Sequence, residues 1–456
     1  MKKLLIAVLL VAVMAVPAFA SVQNVKVSGD LTTKWAVRSE FNLGAIGNPG
    51  STKQNMNDFI SYTRVRIDAD LTDNVSTTVR LLNERTWGNE TSGTSTADEN
   101  IDVDLAYVQL REMLYSPLTV TIGRQELFYG NGFIIGGNGP NNQTVGALNV
   151  DGLKDLSMRR SLDAVKAVFN YDPLTIDMFM AKVADTHRGF NIADKNDDID
   201  LYGFNANYKL SDKWNTVAEA YFFAKEDKSS DALATTEKSD RVYVPGFRVS
   251  TNPIKGLNLQ GELAWQRGVD YLATSTRSAT REAMGGQFIA SYLLPFQKTA
   301  KYEPVVAYAY TYASGDKDAT SGYGDKNKAW DPMFERVSSG KIYNAIFNLT
   351  NVHVNELSFS MKPVQDLTTK LTWAMLTLDK KLNDATWTPI DSTMGTYAVK
   401  SDKRDLGNEV DLDLTYAYTE DVSIGMSAGW FMPGNVFSDN NNKVATQLLT
   451  SMSVAF

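Results

Sequence analysis

The sequence predicts an all-β protein, a transmembrane antiparallel up-and-down β-barrel of about eighteen strands. Three observations predict this class. Runs of alternating apolar and polar residues recur along the chain, short turns alternate with long polar loops, and the first residues have the pattern of an export signal. Together they favour strands that face lipid over a soluble sandwich, in which the apolar face would meet a protein core.

The first 20 residues are predicted to be a cleaved signal peptide. Two lysines precede an apolar run of 13 residues from Leu4 to Val16, and residues 18–20 form a small-x-small cleavage site. A spanning helix needs roughly 20 apolar residues, so this run is too short to anchor the protein in a membrane. We therefore assign residues 1–20 to a signal peptide and residues 21–456 to a single outer-membrane barrel domain.

Composition narrows the classes of function. The 456-residue chain has 53 acidic and 45 basic residues, a formal net charge of −8 and no cysteine. A net acidic chain gives no support for nucleic-acid binding, which needs a basic surface. An exported protein without disulfides must be stabilised in another way, and closed strand pairing would do so. The expected partner is the lipid of a Gram-negative-type outer membrane, with no nucleic acid and no cofactor.

Eighteen segments have the length and the two-residue alternation of membrane strands, and turn residues bound them. They are residues 25–40, 57–71, 75–87, 101–114, 118–128, 161–171, 174–185, 199–210, 214–225, 241–251, 257–267, 282–294, 303–313, 352–362, 367–378, 407–418, 422–432 and 445–456.

The connections between these segments alternate in length from the second strand onward. Short turns rich in Pro, Asp and Asn, such as 172–173, alternate with long loops rich in Gly, Asn, Ser and Thr. The long loops include 41–56, 88–100, 129–160, 226–240, 314–351 and 379–406. Short periplasmic turns and long extracellular loops are typical of bacterial outer-membrane barrels. Residues 295–302 are an exception, because they form a longer connection where a short turn is expected.

The segment 422–432 shows the two faces most clearly, because successive side chains of a strand point to opposite sides. One face is apolar and consists of Val422, Ile424, Met426, Ala428, Trp430 and Met432. The other consists of Ser423, Gly425, Ser427 and Gly429. We interpret the first as the lipid-facing side and the second as a smooth part of a pore wall.

Two strands do not follow the alternation cleanly. In 118–128, Ile122 shares its parity with Arg124 and Glu126, which would place both charges toward lipid. A bulge at Gly123 would turn them inward, since glycine tolerates one. In 101–114 the alternation does not decide which face is apolar.

Aromatic residues fall near predicted strand ends, as in the interfacial girdles of membrane barrels. They are Trp35, Trp87, Tyr115, Tyr171, Trp214, Trp430, Phe431 and Phe456. Phe456 ends the chain in register with Leu448, Met452 and Val454. A terminal aromatic residue on a closing strand resembles the signal read by the barrel-assembly machinery, which we expect as a partner.

Six short motifs carry a resemblance to a known family. They are residues 107–110 (YVQL), 117–130 (PLTVTIGRQELFYG), 159–166 (RRSLDAVK), 330–334 (WDPMF), 406–412 (LGNEVDL) and 431–434 (FMPG). In this order they resemble the alginate-export family of outer-membrane porins. The resemblance implies an eighteen-stranded barrel that conducts polysaccharide or small solutes through a strongly electropositive lumen.

Charged residues of the strands, with Arg160 just before one of them, are the candidate pore-lining and selectivity residues, because a charge facing lipid is costly. They are Arg64, Arg66, Arg80, Glu84, Arg124, Arg160, Lys166, Arg248 and Lys370. Acidic residues such as Asp68, Glu219, Glu262 and Asp411 accompany them, so the lumen departs from a simple anion funnel. Rings of charge can set ion selectivity. Alternatively, these residues form ion pairs that brace the wall.

The 129–160 loop is predicted to fold into the lumen and narrow it. It combines many Gly and Asn residues with the apolar Phe133-Ile134-Ile135, and a loop of this length is usually functional or disordered. A mobile surface loop is the alternative interpretation.

The predicted function is an outer-membrane channel for hydrophilic solutes, with export of polysaccharide or oligosaccharide as the first hypothesis. The alternative is a selective porin for uptake of small acids or sugars. A surface adhesin or structural barrel with a plugged lumen is a third possibility. We predict no enzymatic activity, since a hydrolase would need His187 or His353, the two histidines, as its base.

Overall fold

The computed structural model describes residues 23–44, 55–88, 101–137, 153–184, 199–228, 239–272, 277–295, 300–317, 326–336, 340–382, 386–387 and 396–456. Over these residues, eighteen long strands form a closed antiparallel barrel. In chain order they are β1 (Asn24–Ser39), β2 (Asn55–Thr72), β3 (Val75–Thr86), β4 (Asp102–Leu110), β5 (Leu118–Glu126), β6 (Ser161–Asn170), β7 (Leu174–Ala184), β8 (Ile199–Lys209), β9 (Val217–Asp227), β10 (Asp240–Ile254), β11 (Leu257–Leu272), β12 (Arg277–Leu293), β13 (Val305–Ala313), β14 (Val352–Val364), β15 (Leu367–Leu378), β16 (Asp405–Ala417), β17 (Val422–Pro433) and β18 (Ala445–Ala455). The predicted class and strand number are confirmed.

In the described part of the chain, the remaining regular structure is short. It comprises the two-residue strands Lys326–Asn327, Thr386–Trp387 and Tyr397–Ala398, the one-turn helix α1 (Tyr343–Ile346), and the 3-10 turns Lys154–Leu156 and Ala300–Tyr302. Among the described residues, no helix has both the length and the apolar character needed to cross a bilayer.

Each long strand pairs with its sequence neighbours, and β1 also pairs with β18 to close the barrel. At this seam the Thr32 and Ser453 hydroxyls lie 2.9 Å apart across 421 positions of sequence. Gly29 and Phe456 exchange two backbone hydrogen bonds of 2.9 and 3.0 Å. A Cβ at Gly29 would lie 2.5 Å from the Phe456 ring, so glycine leaves the space that this ring covers.

The two ends of the barrel differ, and we name them by their connections. The short-turn end carries brief links such as 73–74, 255–256 and 365–366. The long-loop end carries the extended connections, including 127–160 and 314–351. The 294–304 link is again the longest at the short-turn end, and part of it is the 3-10 turn Ala300–Tyr302. The β11–β12 hairpin continues farther toward the long-loop end than the predicted segments 257–267 and 282–294.

The predicted faces are confirmed on most strands. On β17, Ile424 and Trp430 point outward with exposures of 45% and 42%. Outward aromatic residues cluster near both ends: Tyr115 and Tyr171 join their hydroxyls at 3.1 Å, and Trp35, Phe59 and Trp87 stack with centroids 6.0 and 5.0 Å apart.

The girdle assignment of Phe431 is wrong. Phe431 is completely buried and packs edge-on against Phe347, with ring centroids 5.5 Å apart. The physical reason is parity, since Phe431 follows the outward Trp430 and must therefore point inward.

The irregular strands resolve differently from the prediction. The ladders on both sides of β5 run through Gly123 without a register shift, so the predicted bulge is absent. Gly123 instead has a φ of +121°, which glycine adopts readily. The register shift lies instead in the β3–β4 ladder. Arg80 pairs with Leu105 and Leu81 with Val103, so Asp104 of β4 is the extra residue. A bulge inside 101–114 changes the phase within the segment, which explains why alternation alone did not decide its face.

Candidate functional site: the lumenal constriction

Loops from the long-loop end fold into the barrel and pack there. We call residues 127–137, 326–336 and 340–349 the lumenal plug. Phe133, Ile135 and Ile346 in the plug are completely buried. They belong to one apolar cluster with inward wall residues such as Phe223 and Leu376. The plug is therefore held by the same apolar burial that builds the core of a soluble protein.

Backbone pairing joins two of the plug segments. Ile135 and Phe334 form a parallel bridge. Gly136 donates to the Phe334 carbonyl at 2.9 Å, and the Arg336 N–H donates to the Gly132 carbonyl at 2.7 Å. Phe133 and Trp330 stack with centroids 5.5 Å apart. The two segments thus form one unit, and movement of either would break contacts of both.

Polar wall residues fasten this unit to the barrel. The Gln266 side-chain amide donates to the Asp331 carbonyl at 2.6 Å and accepts from the Asp331 N–H at 2.8 Å. Lys225 donates to Asp331 Oδ2 at 2.6 Å. Burial alone would raise the pKa of Asp331, but the Lys225 ammonium and then the Arg281 guanidinium outweigh it and hold this pKa below its ordinary value.

Glu409 fastens the third plug segment. Its carboxylate accepts three successive backbone N–H groups, from Lys341 at 2.5 Å, Ile342 at 2.9 Å and Tyr343 at 2.7 Å. The Tyr343 hydroxyl donates to Glu356 at 3.0 Å. These contacts satisfy the unpaired N–H groups at the start of α1. Glu356 and Glu409 are not among the site residues predicted from the sequence.

Small wall residues make room for this segment. A Cβ at Gly429 would lie 2.6 Å from Asp411 Oδ1 and 3.4 Å from Ile342 Cδ1. The small face of β17 thus lines the lumen, as predicted, and at Gly429 it contacts the plug.

The later part of the 129–160 loop also enters the barrel, against β1 to β3. Arg38, 1% exposed, forms a two-point pair with Asp155 at 2.8 and 2.6 Å. The Tyr62 hydroxyl donates to the Leu156 carbonyl at 2.9 Å. Glu84 accepts from the Ser157 hydroxyl at 2.9 Å. The predicted infolding is therefore confirmed for residues 129–137 and 153–160, and residues 138–152 lie outside the described part.

A polar cavity of 400 Å³ lies beside the plug, toward the short-turn end. Its charged and amide lining consists of Asn131, Gln287, Lys341, Glu356, Lys370, Asp411 and Asp413. Lys341 reaches Asp413 at 3.4 Å. Lys370 stands opposite Asp413 in the β15–β16 ladder, is exposed, and forms no ion pair with a described residue. The cavity therefore offers a solute one unengaged cation among amides and carboxylates.

Five of the predicted cations, namely Arg64, Arg66, Arg80, Lys166 and Arg248, are engaged with carboxylates on the inner wall. Arg64 pairs with Asp30 at 2.8 Å and Arg66 with Asp68 at 2.7 Å. Lys166 lies 3.9 Å from Asp177.

Arg80 bridges two acids, with Asp104 and Glu126 each at 2.5 Å. These pairs fit the interpretation that charges brace the wall.

Arg248 connects the wall to the plug. It pairs with Glu219, and its Nη2 donates to Gln260 at 2.7 Å and to Asn131 of the plug at 3.0 Å. Arg160 donates to the carbonyl of Arg159 at 2.6 Å. Of the nine predicted residues, only Lys370 lines the 400 Å³ cavity.

The expectation that Arg124 faces the lumen is wrong. With no bulge at Gly123, Arg124 keeps the parity of Ile122, and Asp163 opposite keeps that of Val165. Ile122 and Val165 are 47% and 41% exposed on the outward face. Arg124 Nη1 lies 3.6 Å from Asp163 Oδ2, so the outward charge is accompanied by an acid.

His353 is not part of the lining of the 400 Å³ cavity. His353 faces outward, with its Nδ1 2.7 Å from the Tyr310 hydroxyl. His187 lies outside the described residues.

Comparisons with known proteins agree with this architecture. The family profile described as "Alginate export" matches residues 24–451. A search among curated proteins finds no match. Three solved Pseudomonas aeruginosa structures are similar. OccK11 (OpdR) has a TM-score of 0.56 at 11% identity and covers 95% of this chain and 96% of its own. OccK2 (OpdF) in complex with glucuronate has a TM-score of 0.55 at 12% identity, and the match covers 95% of this chain and 99% of that one. OpdK with vanillate has a TM-score of 0.53 at 12% identity, and the match covers 94% of this chain and 99% of that one. At these identities the structures show the fold.

Proposed function

Because the chain belongs to the alginate-export family and is an outer-membrane channel, we propose that its solutes are small hydrophilic acids the size of one sugar acid. They cross by diffusion past the lumenal plug. The observation that carries this proposal is the 400 Å³ cavity lined by Lys370, whose ammonium forms no ion pair with any residue in the described part of the chain.

The cavity chemistry suits such a solute. An ammonium attracts a carboxylate, while amides such as Asn131 and Gln287 and the carboxylates of Asp411 and Asp413 can hydrogen-bond hydroxyl groups. Its volume falls at the lower end of ligand pockets, about 300–1,000 Å³. Two fold neighbours bind glucuronate and vanillate, both carboxylates, which supports the class of solute without fixing its identity.

Export of an acidic polysaccharide is the second candidate, and the family match favours it. A polymer would need continuous passage along the lumen, so the plug would have to leave its seat against Gln266 and Glu409. The mixed charges of the inner wall favour the first candidate, since ion pairs such as Arg64–Asp30 cancel much of the attraction for a polyanion.

Diffusion through such a channel requires no catalysis, so we propose no enzymatic activity. We also propose that the assembly machinery recognises Phe456, whose side chain is 70% exposed on the outer face of the seam.

Single-channel recording in planar bilayers tests the solute. We expect glucuronate, but not glucose, to interrupt the current. In Lys370→Gln the apparent affinity should fall about two- to fivefold, as expected for loss of a partly solvated charge contact. Lys362→Gln, at the short-turn end of β14 and paired with Glu303, is the matched control and should keep wild-type block.

Other outcomes would overturn the proposal. Block by acidic polysaccharide with no effect of glucuronate would favour the second candidate. Absence of any current from pure, folded barrel would favour a structural role.

A further inference from the structure

The outward face of the barrel carries a hollow of 640 Å³ on strands β10 to β14. Its apolar walls are Phe247, Val249, Leu263, Met284 and Phe288, which are 38–44% exposed.

Two glycines form the base of the hollow. Gly261 stands opposite Phe288, and Gly286 stands opposite Leu263, so the two lie diagonally on adjacent strands. A Cβ at Gly261 would meet no atom within 4 Å. Gly261 therefore leaves open space on the surface, whereas a Cβ at Gly286 would lie 2.8 Å from Leu263 Cδ2, so the Leu263 side chain covers that glycine.

One side of the hollow is polar. Tyr310, Tyr312 and His353 line it. His353 Nε2 and the Tyr312 hydroxyl each lie 3.5 Å from Asp379, which also pairs with Lys380 at 3.1 Å. Asp379 directly follows β15 at the long-loop end, so the polar rim lies on that side of the apolar hollow.

We propose that this hollow binds one acyl chain of an outer-leaflet lipid, with its head group against the rim formed by Tyr312, His353, Asp379 and Lys380. The hollow is continuous with the surface that contacts bilayer hydrocarbon, and the long-loop end of such barrels faces the outer leaflet. Water gains no partners in an apolar hollow. A lipid has the same arrangement along the membrane normal: its acyl chain would lie against the apolar walls, and its polar head group would lie against the rim on the long-loop side. The proposal does not depend on the solute of the channel.

Native mass spectrometry of the intact barrel, purified from its own membranes in a mild detergent, tests the proposal. We expect the wild type to keep one lipid, and to bind added lipopolysaccharide after stripping. Gly261→Leu fills the base of the hollow and should lose the lipid-bound peak. Ala69→Leu likewise places a leucine on the outward face, here on β2 away from the hollow, and should keep the lipid-bound peak.

Each outcome is decisive once heat-modified gel mobility shows that both variants are folded. Equal lipid retention by Gly261→Leu and wild type would overturn the proposal, as would a wild-type barrel that neither retains lipid nor binds the added probe. His353→Ala should weaken binding without abolishing it if the rim holds the head group. Stronger or unchanged binding in this variant would overturn the assignment of the rim.

Discussion

On β9 and β15 the inward face changes along the strand, from apolar where it meets the plug near the long-loop end to charged nearer the short-turn end. On β9, Phe223 packs against the plug, whereas Glu219, nearer the short-turn end, pairs with Arg248. On β15, Leu376 is buried in the same apolar cluster, whereas Lys370 is exposed in the cavity. The difference teaches that an inward-facing position can be apolar where loops exclude water, whereas polar residues buried there, such as Gln266 and Glu409, are hydrogen-bonded to the plug. Where loops fill the barrel, the inner wall becomes a protein core.

Of the substitutions in the plug and its attachments, Phe133→Ala should weaken the packing of the plug most. The substitution removes a fully buried ring that stacks on Trp330, at a cost of about 3–5 kcal/mol. We expect larger mean conductance and frequent current steps in single-channel recordings, because the plug is less firmly seated. Phe204→Ala removes the same side chain from the outward face, where it is 40% exposed, and should conduct like wild type. Identical currents from both variants would contradict a packed plug.

Glu409→Ala tests the polar attachment of the third plug segment. Three N–H groups, of which those of Ile342 and Tyr343 are buried, would lose their acceptor, at a cost of about 2–3 kcal/mol. Hydrogen exchange measured by mass spectrometry should speed up at Lys341 to Tyr343. Glu420→Ala, an exposed acid in the β16–β17 turn, is the control and should leave these amides protected. Unchanged protection in Glu409→Ala would show that apolar packing alone holds the segment.

Gln266→Ala should have a smaller effect of the same kind. Two hydrogen bonds to the Asp331 backbone disappear, at a cost of about 1–2 kcal/mol, while Lys225 still holds the Asp331 carboxylate. Exchange should accelerate at Asp331 and not at Tyr343. Gln365→Ala, in an exposed short turn, should change neither. Equal acceleration at both places would mean that the plug moves as one body.

Lowering the pH within the range of about 8 to 5 should change the stability of the plug least of all. Because the folded-state pKa of Asp331 is lowered, its contribution to plug stability is fully present above the unfolded value of about 3.9 and is lost as pH falls through the folded pKa. Current noise should therefore be constant from about pH 8 to 5 and rise below about pH 4. In Asp331→Asn the same acid step should add less noise. An equal acid response in the variant would assign the effect to other carboxylates.

The fold was largely predictable from sequence because each membrane strand repeats one physical rule. Segment 422–432 corresponds to β17 within one residue, since lipid outside and a small polar wall inside give opposite faces. The β11–β12 hairpin was underestimated because residues 268–281 mix glycine, threonine and arginine and lose the alternation.

The site was less predictable, because its contacts involve backbone groups and loop paths. Gln266 and Glu409 are ordinary inward polar residues in the sequence, and their partners are N–H and carbonyl groups of the plug. The apolar residues of 314–351, such as Trp330 and Ile342, were a usable signal of burial, but sequence did not show what they would pack against. Strand alternation correctly predicted that Lys370 points inward. For Arg124, alternation alone pointed outward, and the bulge assumed at Gly123 led to the wrong prediction that it faces the lumen.

The seam between β1 and β18 also governs how the barrel can form. Closing a loop of this length costs more chain entropy than pairing neighbouring strands, and contacts so distant in sequence form slowly. Zipping of adjacent hairpins should therefore precede ring closure. During that interval β1 and β18 each present an unpaired edge, which is a template for aggregation. Pairing of residues 30–39 with residues 446–455 covers both edges, and Gly29 and Phe456 extend this ladder by two hydrogen bonds, so the seam is the contact that ends the aggregation-prone interval.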